Sequence, residues 1–228
     1  MATIIRIELV TPIVTPGVRR LEELAHLTGP KLVITHSLLE NGPRSIQTEE
    51  DEKAAVHDTI KRVQAAEATG AHAAVVDCFG DPGVVEAQKV VNIPVFGPGA
   101  TTMRKSAVHG RFGVVTVLTS VIPIIQKVAG RCGLEDKLAS VRAINIPVLE
   151  IETRLDEVKK GLQREALRAV MEDGACAIML GCTGFYMLDE ETQQFLKDNG
   201  YPNIPVYDPI VVAIREAEAH VKAQLGQN

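Results

Sequence analysis

The most constraining feature of this sequence is an internal repeat. When the chain is shifted against itself by 104 residues, GAHAAVVDCFG (70–80) aligns with GACAIMLGCTG (174–184), with five identities in eleven positions. Ordinary residue frequencies would give about one identity by chance. NIPVFGP (92–98) is also repeated, as NIPVYDP (203–209), at a shift of 111 residues. The chain therefore reads as two similar halves, and the additional residues of the second half are expected in its helix or loop near LDEETQQFLKDNGY.

Apolar runs alternate with helical patterns in both halves, which is typical of βαβ units and parallel sheets. The predicted strands are 4–10, 31–36, 73–78, 93–97, 112–118, 141–146, 176–182 and 204–208. We therefore predict an α/β fold of two similar lobes, each with a four-stranded parallel sheet flanked by helices. The lobes are expected to be related by a pseudo-twofold axis, with the active site in the cleft between them. The predicted first lobe is 1–98 plus 210–228 and the second is 99–209, the return of the last helix to the first lobe being placed by analogy.

Composition excludes several classes of function. Apolar residues make up 46% of the chain and charged residues 23%, and the formal net charge is −5. No basic concentration suggests nucleic acid, and no apolar run approaches the roughly 18 residues of a membrane span. The first residues show no signal-peptide pattern, and four cysteines without a CxxC pair indicate reduced thiols. We expect a cytoplasmic protein that acts on a small molecule, with no membrane or nucleic-acid partner.

Two of the cysteines, Cys78 and Cys182, occupy matched positions of the repeat, each at the end of an apolar run and before a glycine-bearing turn. Ligands of parallel α/β sheets bind beyond the carboxyl ends of the strands. Asp81 is expected to cap a helix that begins at Pro82, and nearby backbone N–H groups would lower a thiol pKa from about 8.5. Two thiols on opposite faces of one carbon would remove and return a proton, as racemisation requires.

The other cysteines and the histidines give weaker signals. Cys132 and Cys176 do not end strands, and both are predicted to be packing residues. The six histidines show no HExxH or comparable spacing, so no metal site is predicted. His36, at a strand end, is expected to be structural.

At these motifs the sequence resembles the aspartate/glutamate/hydantoin racemase superfamily, and most closely its hydantoin racemase branch. CFGDPG (78–83) resembles the first cysteine motif of that branch and LGCTG (180–184) the second. The likeness continues through FGVVTVL (112–118) and KLASVRAINIPVLEIE (137–152), so it covers most of the chain. Glutamate racemases are less similar, since they typically place a His where this chain has Gly184.

The resemblance implies an isomerase that needs no cofactor, with Cys78 and Cys182 as acid and base, and it implies a homo-oligomer. Hydantoin racemases usually end the first strand with a polar Asn-Pro-Asn-Thr type of turn. Thr11 and Pro12 fit that pattern, but Ile13 and Val14 replace the polar pair. This departure removes hydrogen-bonding side chains, so the substrate is expected to differ from a simple 5-substituted hydantoin.

The remaining candidates for substrate binding lie in loops and at strand ends. Backbone N–H groups in the glycine-bearing turns are expected to hold the charge of an enolate. The predicted substrate-binding residues are Thr11, Pro12, Ser45, Ile46, Phe79, Gly80, Thr116, Thr119, Thr183 and Gly184.

Three alternatives to a racemase of hydantoins or allantoin-like cyclic amides stay open on the sequence. An amino-acid racemase of the aspartate or glutamate type would use the same scaffold, although no arginine adjoins either cysteine motif in the sequence. An isomerase of the maleate type would use one cysteine as a nucleophile. A small-metabolite-binding protein would carry inert thiols.

Overall fold

A computed structural model describes residues 3–226 of the chain. Eight short strands alternate with helices: β1 (Ile5–Thr11), β2 (Leu32–Leu38), β3 (Ala73–Val76), β4 (Val95–Phe96), β5 (Phe112–Thr116), β6 (Leu138–Ala143), β7 (Ala177–Leu180) and β8 (Val206–Tyr207). The α-helices are α1 (Glu49–Ala68), α2 (Val84–Ala87), α3 (Pro98–Ser106), α4 (Ile122–Cys132), α5 (Leu155–Asp173), α6 (Asp189–Asp198) and α7 (Pro209–Gln224). Short 3-10 helices cover Leu21–Leu27, Ala107–His109, Thr119–Val121, Glu135–Lys137, Val148–Glu150 and Thr183–Phe185.

The strands form two parallel four-stranded sheets with the same internal order. The first sheet has the order β2-β1-β3-β4 and the second β6-β5-β7-β8. β1 and β5 are therefore equivalent central strands, and β3 and β7 are the equivalent strands that precede the two cysteines. The predicted fold class of two α/β halves with parallel sheets is confirmed.

In both sheets, the last pair of residues between the central strand and its neighbour lies just before the cysteine turn. Val10 of β1 is paired with Val76 of β3, and Val115 of β5 is paired with Leu180 of β7. All four side chains are fully buried, because strands with helices on both faces expose neither side to solvent. Both cysteine turns thus start from rigid points in the core.

The strands are shorter than the apolar runs suggested. The predicted strands 73–78 and 176–182 end at Val76 and Leu180, two residues before each cysteine. In the first of these turns the Cys78 N–H donates to the Val76 carbonyl at 2.7 Å, which bends the backbone away from the ladder. The apolar runs continue into the turns, and for this reason both strands were predicted to be too long at their carboxyl ends.

The two halves differ in the helix that follows the cysteine turn. α2 has four residues, whereas α6 has ten. This difference of six residues accounts for most of the seven-residue increase in the repeat shift, and it lies in the region where the extra residues were predicted.

The chain folds into two compact units. The first contains the residues up to Ile46, Glu50–Pro98 and those from Ile210 onward, and the second contains Gln47–Glu49 and Gly99–Pro209. Within the first unit, Arg215 of α7 donates to the Leu27 carbonyl at 3.2 Å. In the same unit the rings of Phe96 and His220 meet edge to face at 5.6 Å.

Candidate active site

The residue before each cysteine is bound to the central strand of its own sheet in the same way. The N–H of Asp77 donates to the carbonyl of Val10 at 2.8 Å, and the N–H of Gly181 donates to that of Val115 at 2.7 Å. Cys78 and Cys182, one residue further along, are both half-buried. The matched positions expected from the repeat therefore have matched backbone anchors.

A threonine at the end of each central strand provides a second anchor. The Thr11 hydroxyl donates to the Asp77 carboxylate at 3.0 Å, and the Thr116 hydroxyl donates to the Gly181 carbonyl at 3.0 Å. Thr11 is 4% exposed and Thr116 is fully buried. The hydroxyl of each of these predicted substrate-binding residues donates a hydrogen bond to the residue that precedes a cysteine.

A buried ion pair adjoins the first cysteine. Arg19 donates from Nε to Asp77 Oδ2 at 2.9 Å and from Nη2 to Oδ1 at 3.3 Å. The two side chains are only 3% and 2% exposed. Two parallel N–H···O bonds from a guanidinium fix both the position and the plane of a carboxylate. Sequence reasoning missed this pair, although an Asp between a buried strand and Cys78 was a visible sign of a buried partner.

His36 extends this network on the side of β2. Its Nε2 lies 2.9 Å from the Thr11 hydroxyl oxygen. Because the Thr11 proton is donated to Asp77, which accepts only, the Nε2 of His36 carries the hydrogen and donates. Burial lowers the pKa of His36 below its usual 6.5, and the nearby negative charges of Asp77 and Glu8 oppose that shift.

The second cysteine is held by its own turn. Cys182 is the N-cap of the 3-10 helix Thr183–Phe185, and its sulfur accepts the Gly184 N–H at 3.4 Å. A hydrogen bond to the charged form of a group favours that form, so this N–H stabilises a thiolate. Gly184, predicted as a backbone donor to the substrate, thus donates to the sulfur itself.

Glycines at two positions lie so close to their neighbours that a side chain would crowd them. A Cβ on Gly181 would lie 2.6 Å from Val114 Cγ1, so this position has no room for a counterpart of Asp77. A Cβ on Gly184 would lie 3.4 Å from the Cys182 sulfur and 3.0 Å from Ile151 Cδ1. The position beside the Cys182 sulfur is therefore tight, and a side chain at 184 would crowd both the sulfur and Ile151.

The predicted helix start at Asp81–Pro82 is wrong. α2 begins at Val84, with Gly83 as N-cap in the left-handed region at φ 75°, and Asp81 itself has φ 55°. The buried carboxylate of Asp81 lies where a Cβ on Gly97 would be, 2.2 Å from it at Cγ. The side chain thus packs against the chain just before α3.

The second unit also has a buried aspartate near its cysteine turn, but there it comes from the segment that follows the last strand, β8. Asp208, which the repeat aligns with Gly97, is 2% exposed. Its Oδ2 accepts the N–H of Met187 at 3.0 Å, and Met187 lies in the second cysteine turn at φ 62°. In both units a buried aspartate lies between the cysteine turn and the strand end that precedes the next helix.

The structure brings the first-strand turn and the predicted substrate loop together. The Val14 N–H donates to the Pro43 carbonyl at 3.0 Å, and the Thr15 hydroxyl donates to the Arg44 carbonyl at 2.7 Å. These bonds hold the segment that carries Pro12 beside the one that carries Ser45 and Ile46. Pro12 is buried and Ser45 half-buried.

The other predicted binding residues differ widely in exposure. Ile46 and Thr183 are each 8% exposed and Phe79 is 2% exposed. Gly80 is buried, Gly184 is half-buried and Thr119 is exposed. Ile13, one of the two departures from the polar turn, is 5% exposed and belongs to the core.

The cysteines predicted to be packing residues behave differently from each other. Cys132, the last residue of α4, is half-buried, whereas Cys176 is exposed. The prediction for Cys176 is therefore wrong. Cys176 precedes β7, where its N–H bonds to the Arg111 carbonyl at 2.7 Å while the side chain faces solvent.

The described part of the chain contains neither a membrane-spanning helix nor a metal-binding cluster. Among residues 3–226, no helix is both long and apolar enough to span a bilayer. Within the same range, no three or more His, Cys, Asp or Glu side chains are grouped to hold a metal ion.

Comparison with known proteins places this fold and these motifs in a family. The family model for Asp/Glu/hydantoin racemase matches residues 15–217. A hydantoin racemase of Rhizobium meliloti is 35% identical over 178 residues, which cover 78% of this chain and 71% of that protein. An allantoin racemase of Pseudomonas fluorescens superposes with a TM-score of 0.87 at 27% identity, covering 98% of this chain and 93% of that one. An allantoin racemase of Klebsiella pneumoniae has a TM-score of 0.86 at 26% identity, covering 98% and 89%.

The chain belongs to the Asp/Glu/hydantoin racemase family. It is a racemase, and hence an isomerase, as the sequence predicted. The alternative of a binding protein with inert thiols is thereby set aside.

Proposed function

We propose that this enzyme racemises a hydantoin or a related cyclic amide such as an allantoin-like compound, with Cys78 and Cys182 as its two proton-transfer groups. The observation that carries the proposal is the equivalence of the two cysteines. Each follows, at the same distance, the equivalent strand of one of two sheets with the same order. In each unit the residue before the cysteine donates its N–H to the central strand. That residue also accepts a threonine hydroxyl, at the side chain of Asp77 in the first unit and at the backbone carbonyl of Gly181 in the second.

The proposed reaction uses one thiolate and one thiol. The thiolate removes the proton from the carbon next to a carbonyl, and the electron pair moves onto the carbonyl oxygen as an enolate. The other thiol then donates its proton to the opposite face of that carbon, which inverts the centre. The two sulfurs have exchanged protonation states at the end of each turnover, so the reverse reaction uses them in opposite roles.

The environment of Cys182 supports its part in this scheme. The Gly184 N–H at 3.4 Å from the sulfur favours the thiolate, which is the form that removes a proton. Cys78 is half-buried as well, so it keeps the exposure that a group needs to meet a substrate.

Two features support a cyclic amide over a free amino acid. The positive charge of Arg19, close to the first cysteine motif, is already paired with Asp77 and buried with it, so it is not available to bind a substrate carboxylate. The hydantoin and allantoin racemases among the relatives point in the same direction.

The test is a substrate panel followed by chiral chromatography, with a buffer blank because such carbons exchange slowly on their own. The panel contains single enantiomers of several 5-substituted hydantoins, allantoin, aspartate and glutamate. Wild type is expected to racemise at least one cyclic amide and neither amino acid. Racemisation of an amino acid alone would refute the proposed substrate class.

The residue assignment is tested with Cys78→Ser and Cys182→Ser. Because one acid or base contributes about 10²- to 10⁴-fold, each variant should lose at least about a hundredfold in the rate of racemisation. Cys132→Ser and Cys176→Ser are the matched controls and should keep the wild-type rate. A serine variant at 78 or 182 with normal activity would disprove the assignment, and a stable sulfur–substrate adduct in mass spectra would favour a nucleophilic cysteine instead.

A further inference from the structure

Four polar side chains, three of them buried and the fourth, His36, half-buried, form a network immediately before the first cysteine. We call Arg19, Asp77, Thr11 and His36 the Asp77 network. Asp77 accepts hydrogen bonds from Arg19 and Thr11, and Thr11 contacts His36. Both charged members are at most 3% exposed.

Stability alone is a poor reason for such a pair. Desolvation of two charges offsets much of their attraction, and apolar residues of similar volume often replace buried ion pairs without loss. In the second unit the equivalent residue is held without charged groups: the Gly181 carbonyl accepts the Thr116 hydroxyl, and its N–H donates to the Val115 carbonyl. The ion pair in the first unit therefore calls for a role beyond stability.

The geometry links that role to Cys78 through one peptide unit. The Asp77 side chain is fixed by the guanidinium fork and its N–H by the Val10 carbonyl, while the Cys78 N–H is bonded to the Val76 carbonyl. These bonds restrain the backbone that leads into the Asp77–Cys78 peptide, and hence the direction in which the Cys78 Cα–Cβ bond leaves the chain. The guanidinium also offsets a carboxylate that would otherwise disfavour a thiolate on the next residue.

We propose that Arg19 is a positioning residue for Cys78, acting through Asp77 to fix the direction of the first sulfur and to neutralise the charge beside it. This inference rests on the proposed function of Cys78 as a proton-transfer group. Displacement of a reacting group by about 1 Å can cost a hundredfold in rate, so loss of the fork should lower kcat more than it changes KM.

The experiment compares Arg19→Met with the double variant Arg19→Met/Asp77→Asn. The single variant leaves a buried carboxylate without its cation and should unfold at lower urea concentration. The double variant removes that charge and should regain most of the lost stability, while its kcat stays at least about tenfold below wild type. Its Cys78 should also react with iodoacetamide at a rate changed severalfold, whereas the rate at Cys182 stays within about twofold, both measured by mass spectrometry of the labelled peptides.

The control is Arg142→Met/Asp173→Asn in the second unit, which removes a more exposed ion pair (side chains 14% and 22% exposed). Arg142 Nε donates to Asp173 Oδ2 at 2.6 Å, and neither residue adjoins a cysteine in the chain. This control should lose stability without a selective change at either cysteine. If the double variant at 19 and 77 regains wild-type kcat and Cys78 labelling together with its stability, the pair is structural only and the inference is wrong.

Arg19→Lys covers the case in which the double variant does not fold. It keeps the charge but loses the fork, so kcat and Cys78 labelling should change while the unfolding midpoint stays near that of wild type; wild-type values for both would overturn the inference. The labelling needs no substrate. A wild type inactive on every cyclic amide would therefore refute the proposed function, while the labelling difference would still decide the role of Arg19.

Discussion

The two cysteine turns share a backbone framework but differ in the chemistry that supports it. Both follow the equivalent strand, with an N–H bond to the central strand and a threonine hydroxyl bonded to the residue before the cysteine. In the first unit that residue is Asp77, which is paired with Arg19, and in the second it is Gly181. A duplicated fold has thus kept the placement of its two sulfurs while their surroundings diverged.

That difference matters for the proposed reaction, in which the two cysteines exchange roles. The Cys182 sulfur accepts a backbone N–H from its own turn, whereas the residue before Cys78 carries a buried charge that must be neutralised. Two thiols in unlike surroundings hold a proton with unlike strength, so the two directions of racemisation are expected to differ in kcat and KM.

The largest effect is expected at the buried aspartate of each unit, which comes from the cysteine turn in the first unit (Asp81) and from the position aligned with Gly97 in the second (Asp208). Gly97→Asp would place a second carboxylate in the buried space that Asp81 occupies, since a Cβ at position 97 lies 2.2 Å from Asp81 Cγ. An uncompensated buried charge costs about 3 to 5 kcal/mol of unfolding free energy. Asp81→Gly in the same chain should recover more than half of that loss, because it reproduces the arrangement of Asp208 and suits the positive φ of position 81.

Urea unfolding of the two single variants, the double variant and wild type gives the coupling energy between the two positions. Strong favourable coupling is expected, because the substituted groups compete for one volume. Additive losses would show that the two carboxylate positions are not equivalent.

A smaller difference is expected between the two anchoring threonines. Thr11→Val removes a hydrogen bond to a charged group and should cost about 2 kcal/mol, whereas Thr116→Val removes one to a neutral carbonyl and should cost about 1 kcal/mol. Valine keeps the volume and the β-branched shape in both cases, so the variants are matched. Equal losses in urea unfolding would mean that the Asp77 network adds nothing to its threonine.

The smallest effect concerns acid stability. The pKa of His36 is lowered by burial from 6.5, so the unfolded chain binds a proton more readily than the folded one. His36 therefore contributes stability above pH 6.5 that is lost as the pH falls through its lowered native value. His36→Gln keeps a donor toward Thr11 but does not titrate, so its unfolding free energy should fall less steeply than that of wild type below pH 6.5. Parallel curves would contradict the assignment of a neutral buried histidine.

The repeat predicted much of the fold because it lies in buried strands, where packing limits the residues allowed. It predicted two sheets and the matched cysteines, but not the side-chain network around them. Arg19 and Asp77 are 58 residues apart, and neither has a local pattern that names its partner. Asp81–Pro82 was misread because Asp-Pro is a common helix start, whereas here a contact with the distant Gly97 holds the aspartate in a turn.

Other properties depend on contacts beyond a single chain. The homo-oligomer and the cytoplasmic location stay predictions, because each reflects surfaces and surroundings that a backbone pattern does not encode. Light scattering of the purified enzyme would measure the number of subunits directly.

The most direct test of the two-thiol account is the early incorporation of deuterium from heavy water. Wild-type enzyme is given one enantiomer of its best cyclic amide, and both enantiomers are analysed by chiral mass spectrometry at low conversion against an enzyme-free blank. If separate groups serve opposite faces, the product enantiomer will carry deuterium at the stereocentre while the remaining substrate keeps its protium. Equal deuterium in both enantiomers, or protium retained in the product, would mean that a single group works on both faces.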